Sequence, residues 1–422
     1  MADLRTEFAG IKSPNPFWLA SGPPTDKEYN VVRAFKAGWG GVVWKTVGET
    51  IFNTTSRYHA NAHNGSRIAG FTNIELISDR PLEVNLRELK AVKRDWPGRA
   101  VVLSLMVPCE EPYWEDILKK VENSEADGIE INLGCPHGMS ERGMGAAVGQ
   151  VPEYVEMVTR WAKAHTRMPV IVKLTPNITD ILAPARAAIE GRADAVSLIN
   201  TVASIIGVDL DTMSPLPEVN GKGSHGGYCG PAVKPVALRM VGDIAREFGP
   251  EQAISGIGGI STWRDAAEHM AMGAGTVQVC TAAMHQGFKI VEDMIDGLSN
   301  WMDEKGYRTI GDFRGRAVPN YVSWEKLDLN YEIVARIDQD ACIQCGLCHV
   351  ACEDTAHQAI SARRTNGSRR YEVIDAECVG CNLCMLVCPV ENCVTMERVE
   401  NGKGYMPWTD DPRNPMNKQA AE

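Results

Sequence analysis

The chain has 422 residues, of which 44% are hydrophobic, and its formal net charge at pH 7 is −11. This length suits one large domain followed by a small one, and the acidic balance argues against nucleic acid as a ligand, because such binding requires basic surfaces. The first residues, MADLRTEFAGIKS, have no apolar core behind a basic start, so no secretory signal is expected. No apolar run reaches the roughly 18 residues of a membrane span. We therefore expect a cytoplasmic protein without a membrane partner.

Residues 1–300 alternate short, β-rich apolar runs with amphipathic helical patterns. The predicted strands are Pro16–Gly22, Gly41–Val47, Ala100–Met106, Gly128–Gly134, Pro169–Pro176, Ala195–Thr201, Ala253–Gly259 and Thr276–Ala282. The predicted helices are Val31–Ala37, Leu86–Arg94, Tyr113–Glu122, Glu153–Lys163, Asp180–Glu190, Val236–Phe248, Trp263–Met272 and Phe288–Leu298. Within the α/β fold class, this eightfold alternation is typical of a (β/α)8 TIM barrel. A doubly wound open sheet is the alternative.

The ends of the predicted strands carry the polar groups of interest, because catalytic residues of such barrels lie there. Lys45 and Lys173 end otherwise apolar strands. A buried lysine is costly unless its ammonium meets an anion or a carbonyl, so the pair indicates contact with a cofactor; snorkelling or salt-bridged lysines are the alternative. Gly258 and Gly259, in the run GIGGIS after the seventh strand, suit a phosphate nest. No G-x-G-x-x-G fingerprint is present, so FMN fits better than a dinucleotide.

Beyond residue 300 the pattern changes to a polar, aromatic connecting segment (301–335), a cysteine-rich segment (336–396) and a C-terminal tail (397–422). Eight of the thirteen cysteines repeat the spacing C-x₂-C-x₂-C-x₃-C. This spacing predicts a ferredoxin-like domain with two 4Fe–4S clusters, each bound by three cysteines of one run and the fourth of the other. The predicted ligand sets are Cys342, Cys345, Cys348 with Cys388, and Cys378, Cys381, Cys384 with Cys352. Structural zinc, which usually uses two separated C-x₂-C pairs, and disulfides are the alternatives; reduced, metal-bound cysteines suit a reducing compartment.

Several longer motifs make a resemblance specific. They are NPFWLASGPP, GWGGVVWKT, FTNIELIS, NLGCPHGMSERGMG, KLTPNITD, NTVAS, GIGGIS and QVC. With these motifs, residues 8–300 resemble the pyrimidine-reducing half of dihydropyrimidine dehydrogenase, and residues 336–396 resemble the two-cluster domain of that family. Its bacterial members divide the work between a chain with FMN and two clusters and a chain with NADH and FAD. This chain resembles the former, which implies a hetero-oligomer with an NADH- and FAD-binding partner subunit.

The resemblance also implies roles for individual residues. FMN would be held by Ser21, Lys45, Thr46, Asn132, Lys173, Asn200, Gly230, Gly258, Gly259, Cys280 and Thr281. The pyrimidine base would be bound by Asn73, Glu75, Asn132, Asn200 and Thr201. Carboxamides suit this task independently, because they offer both a donor and an acceptor to the alternating edge of uracil.

Cys135 is the candidate catalytic acid. Reduction of the C5–C6 double bond requires hydride at C6 and a proton at C5, and a thiol with an ordinary pKa near 8.5 is able to donate that proton at neutral pH. The glycines of residues 137–145 are spaced like those of a mobile lid. A buried, inert cysteine is the alternative role. Family members commonly have Ser where this chain has Gly134, which puts the proton path in doubt.

The predicted function is therefore reduction of uracil and thymine to their 5,6-dihydro forms, with electrons from NADH in the partner subunit. Two alternatives remain open. One is a dihydroorotate dehydrogenase variant, although that family has Asn where this chain has His137. The other is a non-catalytic electron-transfer protein that uses the barrel as a scaffold.

Overall fold

The computed structural model describes residues 2–63, 67–355, 357–365 and 368–419. Internal contacts divide the chain into two compact units, Met1–Tyr321 and Val322–Glu422. The division falls inside the segment that is predicted to connect two domains, and the end of the predicted tail, residues 420–422, lies outside the described residues. Among the described residues, no helix combines the length and apolar character that a transmembrane span requires.

The strands of the first unit include all eight that the sequence predicts. In chain order they are β1 (Thr6–Phe8), β2 (Ile11–Ser13), β3 (Phe17–Leu19), β4 (Gly41–Val47), β5 (Tyr58–His63), β6 (Arg67–Asn73), β7 (Ala100–Leu105), β8 (Gly128–Asn132), β9 (Val170–Lys173), β10 (Ala195–Leu198), β11 (Val202–Ser204), β12 (Gly207–Asp209), β13 (Ser214–Leu216), β14 (Glu218–Val219), β15 (Lys222–Gly223), β16 (Gly226–Cys229), β17 (Ile254–Ile257) and β18 (Thr276–Val279). Strands β3, β4, β7, β8, β9, β10, β17 and β18 pair in parallel and close into a barrel. The predicted TIM barrel is confirmed, and the open sheet is excluded.

The helices of the first unit surround the barrel. They are α1 (Glu28–Ala37), α2 (Leu82–Asp95), α3 (Glu111–Val121), α4 (Ala146–Gly149), α5 (Pro152–His165), α6 (Leu182–Glu190), α7 (Lys234–Phe248), α8 (Trp263–Ala271), α9 (Thr281–Gln286) and α10 (Ile290–Lys305). Barrel strands such as β4 are buried at every position, because side chains fill the barrel on one face and helices cover the other. The observed helices α1 and α3 begin earlier than predicted, since their first turns carry polar residues, Glu28 and Glu111, that give no apolar signal.

A second sheet lies outside the barrel and was not predicted. It has the strand order β11-β16-β6-β5 with antiparallel pairing. Its strands come from the segments that follow β4 and β10, so the sheet is assembled at the carboxyl ends of barrel strands, where barrel enzymes bind their ligands. These segments are rich in glycine, alanine and polar residues, as in GGYC and YHANAH, and lack the Val- and Ile-rich character by which a strand is recognised in a sequence.

The second unit consists of two antiparallel strand pairs and short helices. Its elements are β19 (Ile333–Ile337), α11 (Leu347–Glu353), β20 (Ile360–Thr365), β21 (Ser368–Val373), α12 (Leu383–Leu386), β22 (Val394–Arg398) and α13 (Pro415–Gln419). Strand β19 pairs with β22 and β20 with β21, all antiparallel. Helices α11 and α12 begin at the same place in each cysteine run, which matches the duplication predicted from the spacing. Cys348, Tyr371 and Cys384 are buried in its small core.

One buried polar contact of the barrel offers a test of the fold. Trp44 Nε1 donates to Asn85 Oδ1 over 3.0 Å, and both residues are fully buried. Asn85→Ala leaves the indole N–H without an acceptor, so we expect the free energy of unfolding to fall by about 1–3 kcal/mol. Chemical denaturation of Asn85→Ala, Trp44→Phe and the double variant measures this. If the two residues interact, the double variant should lose less free energy of unfolding than the sum of the two single variants. A loss equal to that sum would contradict the contact.

Candidate active site

One cavity opens at the carboxyl ends of the barrel strands and encloses about 1130 Å³, including its solvent-open mouth. Every barrel residue predicted to bind cofactor or substrate, or to act in catalysis, lines it. These residues are Ser21, Lys45, Thr46, Asn73, Glu75, Asn132, Cys135, Lys173, Asn200, Thr201, Gly230, Gly258, Gly259, Cys280 and Thr281. The structure therefore brings together groups that are spread over some 260 residues of sequence.

A hydrogen-bonded network of hydroxyls and amides joins the strand ends. Thr46 Oγ1 lies 2.9 Å from Ser21 Oγ and 2.8 Å from Ser104 Oγ. Asn132 Nδ2 donates to the same Thr46 oxygen over 3.0 Å, and Asn200 Nδ2 donates to Asn132 Oδ1 over 2.9 Å. Ser104 was not predicted, because a single serine inside an apolar strand carries no distinguishing pattern.

Both predicted lysines carry their charge into the cavity beside a carboxylate. Lys45 forms an ion pair with Glu75. Lys173 Nζ lies 3.7 Å from Oε1 of Glu130, a fully buried side chain at the barrel centre. Glu130 Oε1 and Gln278 Oε1 are buried and have no hydrogen-bond partner within the described residues. Both lysines are therefore salt-bridged, and the unpartnered Gln278 Oε1, unlike that of Glu130, belongs to a residue that lines the cavity and is able to meet a ligand there.

Two aromatic residues of the second sheet, Tyr58 and Phe71, also line the cavity and were not predicted. The Tyr58 and Phe71 rings stack with centroids 5.3 Å apart. The Tyr58 hydroxyl donates to Glu75 Oε2 over 2.7 Å. Arg57 Nη1 lies 3.1 Å from the same Glu75 oxygen. Burial and the neighbouring carboxylate raise the pKa of Tyr58, so its hydroxyl remains a donor at neutral pH. The Glu75 carboxylate is consequently held by Lys45, Tyr58 and Arg57.

Cys135 lies just beyond the end of β8 and faces the cavity. Its thiol donates to the carbonyl of His137 over 3.3 Å. Burial raises the pKa of Cys135 to about 11. The following segment, predicted as a lid, is anchored in this conformation: Ser140 Oγ donates to the Cys135 carbonyl over 2.9 Å, and Met139 is fully buried. Whether it opens remains a prediction.

The far end of the cavity contains the glycines predicted to bind phosphate. Gly230, Gly258 and Gly259 have φ values of 91°, 121° and 74°, a backbone region that favours glycine. A Cβ on Gly259 would come within 2.5 Å of the Lys234 side chain. Because glycine has no side chain, the backbone N–H groups at these positions are able to approach a bound anion closely. Together with the two lysines and Gln278 of the same lining, the residues present fit a ligand with a polar ring and a phosphate tail.

In the second unit, the cysteines of one predicted ligand set line the same cavity. Cys352, the fourth cysteine of the first run, lines a small cavity with Cys378, Cys381 and Cys384 of the second run. The Cys393 thiol lies beside those of Cys342 and Cys388, and burial, reinforced by these neighbours, raises its pKa to about 12. In the part of the chain that the structure describes, no three His, Cys, Asp or Glu side chains are arranged to hold a metal ion. The ligand sets themselves remain a prediction.

Comparisons with known proteins agree with this architecture. Residues 3–302 match the family model of dihydroorotate dehydrogenase, and residues 335–396 match that of the 4Fe-4S dicluster domain. The chain is 42% identical, over 95% of its length and 97% of the relative, to the NAD-dependent dihydropyrimidine dehydrogenase subunit PreA of Escherichia coli K12. It is 41% identical to the chloroplastic dihydropyrimidine dehydrogenase (NADP(+)) of Arabidopsis thaliana, over 76% of this chain and 78% of that protein.

Two more distant matches concern the barrel. The catalytic subunit of dihydroorotate dehydrogenase B (NAD(+)) from Pyrococcus abyssi is 36% identical over 75% of this chain and 99% of that subunit. The crystal structure of DHODH from Eimeria tenella in complex with ferulenol superposes with a TM-score of 0.61 at 20% identity, covering 74% of this chain and 88% of the other. At that identity the structural match supports the fold alone.

The raised pKa of Cys135 predicts its reactivity. Because the thiolate is the reacting form, iodoacetamide should modify Cys135 slowly at pH 7, and the rate should rise about tenfold per pH unit until pH approaches 11. Peptide-resolved mass spectrometry follows the reaction, with urea-unfolded protein as the control, in which the rate should level off near pH 8.5. A folded-state profile that levels off at the same pH as the unfolded one would contradict the burial effect.

The shared cavity predicts how Cys352 is used. Cys352→Ala should lose the cluster held by the second run and keep the other, so that about half of the bound iron remains after anaerobic reconstitution. Cys109→Ala is the matched control, because Cys109 belongs to neither run and lies in the first unit, and it should retain all the iron. Iron content together with electron paramagnetic resonance measures both. Unchanged iron in Cys352→Ala would show that each run binds a cluster by itself.

Proposed function

The chain belongs to the dihydropyrimidine dehydrogenase family, and we propose that it is the subunit of an NAD-dependent enzyme that reduces uracil and thymine to their 5,6-dihydro forms. The observation that supports this most directly is the single cavity that Cys135 lines together with Asn73, Asn132 and Asn200. Family membership supports the same activity, since the bacterial and plant relatives are both named dihydropyrimidine dehydrogenases.

The cofactors of the proposal are FMN in the barrel and two 4Fe–4S clusters in the second unit. The residues that would hold FMN all line the cavity: Ser21, Lys45, Thr46, Asn132, Lys173, Asn200, Gly230, Gly258, Gly259, Cys280 and Thr281. When bound, FMN supplies the hydride, and the clusters supply single electrons from an NADH- and FAD-binding partner subunit. The partner's identity and the number of clusters belong to the proposal, as does the assignment to the cytoplasm.

The asparagines retain hydrogen-bonding capacity for a pyrimidine edge. Asn73 Nδ2 donates to the Gly227 carbonyl over 3.0 Å, and its Oδ1 accepts from the Glu75 amide over 3.2 Å. Asn200 uses Nδ2 toward Asn132. A carboxamide has two donor hydrogens and two acceptor lone pairs, so both asparagines keep a further donor that the ring carbonyls are able to accept, while their contacts with the protein fix their orientation.

Cys135 would provide the proton for C5. A pKa of about 11 keeps its Sγ protonated at neutral pH, which is the state that a general acid needs before the reaction. The Lys173 charge opposes the burial effect and favours the thiolate, so the same lysine assists the thiol when it gives up its proton. The serine hydroxyl, a far weaker acid, is a poor substitute.

The barrel's match to the dihydroorotate dehydrogenase model supports one second candidate, oxidation of dihydroorotate. The similarity of nearly the whole chain to a dihydropyrimidine dehydrogenase subunit supports the first candidate more strongly. Competition between orotate and uracil separates the two candidates, and tighter binding of orotate would favour the second.

The proposed activity is tested by assaying uracil reduction with NADH, with and without a candidate NADH-oxidising partner. We expect the chain alone to be inactive with NADH. In the complete enzyme, Cys135→Ser should lower kcat by about 100-fold or more, the range that general-acid groups contribute, and Cys135→Ala should lower it further. Cys109→Ser is the matched control, because Cys109 lies outside the lining of the cavity. Full turnover by Cys135→Ala would refute the assigned role.

A further inference from the structure

His269 is a completely buried residue of helix α8 that lies behind the cavity rather than in its lining. Its Nε2 is 3.2 Å from the carbonyl oxygen of Gly258. Since a carbonyl oxygen only accepts, Nε2 must carry the hydrogen, which fixes the tautomer. Nδ1 is buried and has no hydrogen-bond partner within the described residues. Burial lowers the pKa of His269 to about 4, so the ring is neutral at pH 7 and Nε2–H is its single N–H donor.

Strand β17 has a glycine, Gly256, at the position that packs against the His269 ring. A Cβ on Gly256 would come within 2.6 Å of His269 Nδ1, closer than such contacts are found, so any larger residue would displace the ring. Gly256 therefore gives His269 the room it needs to reach the end of β17. This pairing of a strand glycine with a helix histidine has no role in the chemistry proposed above.

The hydrogen bond from His269 determines the direction of one N–H group. A trans peptide is planar, so the N–H of Gly259 points opposite to the C=O of Gly258. His269 holds that carbonyl on the side of helix α8, which directs the Gly259 N–H to the other side of the peptide. Both glycines line the cavity, and both have positive φ values that favour glycine, so no side chain separates their backbone from a ligand.

The N-terminus of helix α8 itself is not open to an anion. Asp265 Oδ2 accepts from the backbone N–H groups of Ser261 and Thr262 over 3.0 and 2.9 Å. Asp265 Oδ1 is paired with Lys234 Nζ at 2.7 Å. The helix thus uses its own carboxylate as a cap, and a phosphate at this end of the cavity depends on the Gly258–Gly259 peptide rather than on the helix terminus.

We propose that His269 is a positioning residue that fixes the Gly258–Gly259 peptide so that the Gly259 N–H binds the phosphate of the cofactor. The proposal rests on the function proposed above, because it takes FMN as the ligand. It predicts a selective effect: loss of the His269 hydrogen bond should weaken binding of FMN, which has a phosphate, and should leave riboflavin, which has none, almost unaffected.

The test uses the full-length chain with its clusters intact, freed of flavin and titrated with FMN and with riboflavin by fluorescence quenching. His269→Asn places its amide near the position of Nδ1 and is unable to reach the carbonyl, so the Kd of FMN should rise about tenfold, the equivalent of one hydrogen bond to a positioned group. His269→Gln places an amide nitrogen near Nε2 and should restore most of the affinity. The Kd of riboflavin should change less than about threefold in both variants.

Gly256→Ala provides a second, independent perturbation, since its methyl group displaces the ring without changing the histidine, and it should also weaken FMN selectively. Equal weakening of FMN and riboflavin, or no change for FMN in His269→Asn and Gly256→Ala, would overturn the role of His269 while leaving uracil reduction by the wild-type enzyme intact. A wild-type chain that bound FMN no better than riboflavin would instead overturn the choice of FMN, and this role with it.

Discussion

The hydroxyl of Thr46 is the contact on which the geometry of the candidate site depends. It lies within hydrogen-bonding distance of Ser21, Ser104 and Asn132. A hydroxyl has one donor hydrogen and two acceptor lone pairs, so these three partners saturate it. They belong to β7, to the end of β8 and to the segment just beyond β3, and Thr46 itself is on β4. Four neighbouring strands are thereby tied at their carboxyl ends, and the Asn132 amide is oriented before any ligand binds.

The buried pair of Glu130 and Lys173 places an ion pair at the barrel centre, where stability alone does not require one. Most barrels fill this space with branched apolar residues, and replacing a buried ion pair with apolar side chains is often neutral or stabilising. Here Ser197 and Gln278 donate to Glu130 Oε2 over 2.8 and 3.1 Å, which compensates the carboxylate. Lys173 is thus held with its ammonium at the floor of the cavity, where an apolar core would leave a ligand without a cation.

The features that could be predicted from the sequence are those with a local pattern. Eight apolar runs predict the barrel strands, and the cysteine spacing predicts the cluster domain. Lys45 and Lys173 stand out in the sequence because each is a charged residue inside an apolar run. The second sheet, the ring of Tyr58 over the cavity and the contact of His269 with Gly258 have no such pattern. They depend on pairings between segments far apart in the chain, which periodicity does not report.

The consequence of having Gly134 where family members commonly have Ser depends on what lies beside this position in the structure. From the sequence alone, the missing serine hydroxyl predicts an altered proton path. In the structure, a Cβ at position 134 would come within 2.4 Å of the Asn200 Cβ and within 2.7 Å of its Nδ2, so the space beside Cys135 is filled by Asn200. The same Asn200 amide donates to Asn132, which in turn depends on Thr46. The absence of a side chain at 134 therefore bears first on how closely the two asparagines approach each other. Under the proposed function, it affects the binding of the base rather than the delivery of the proton.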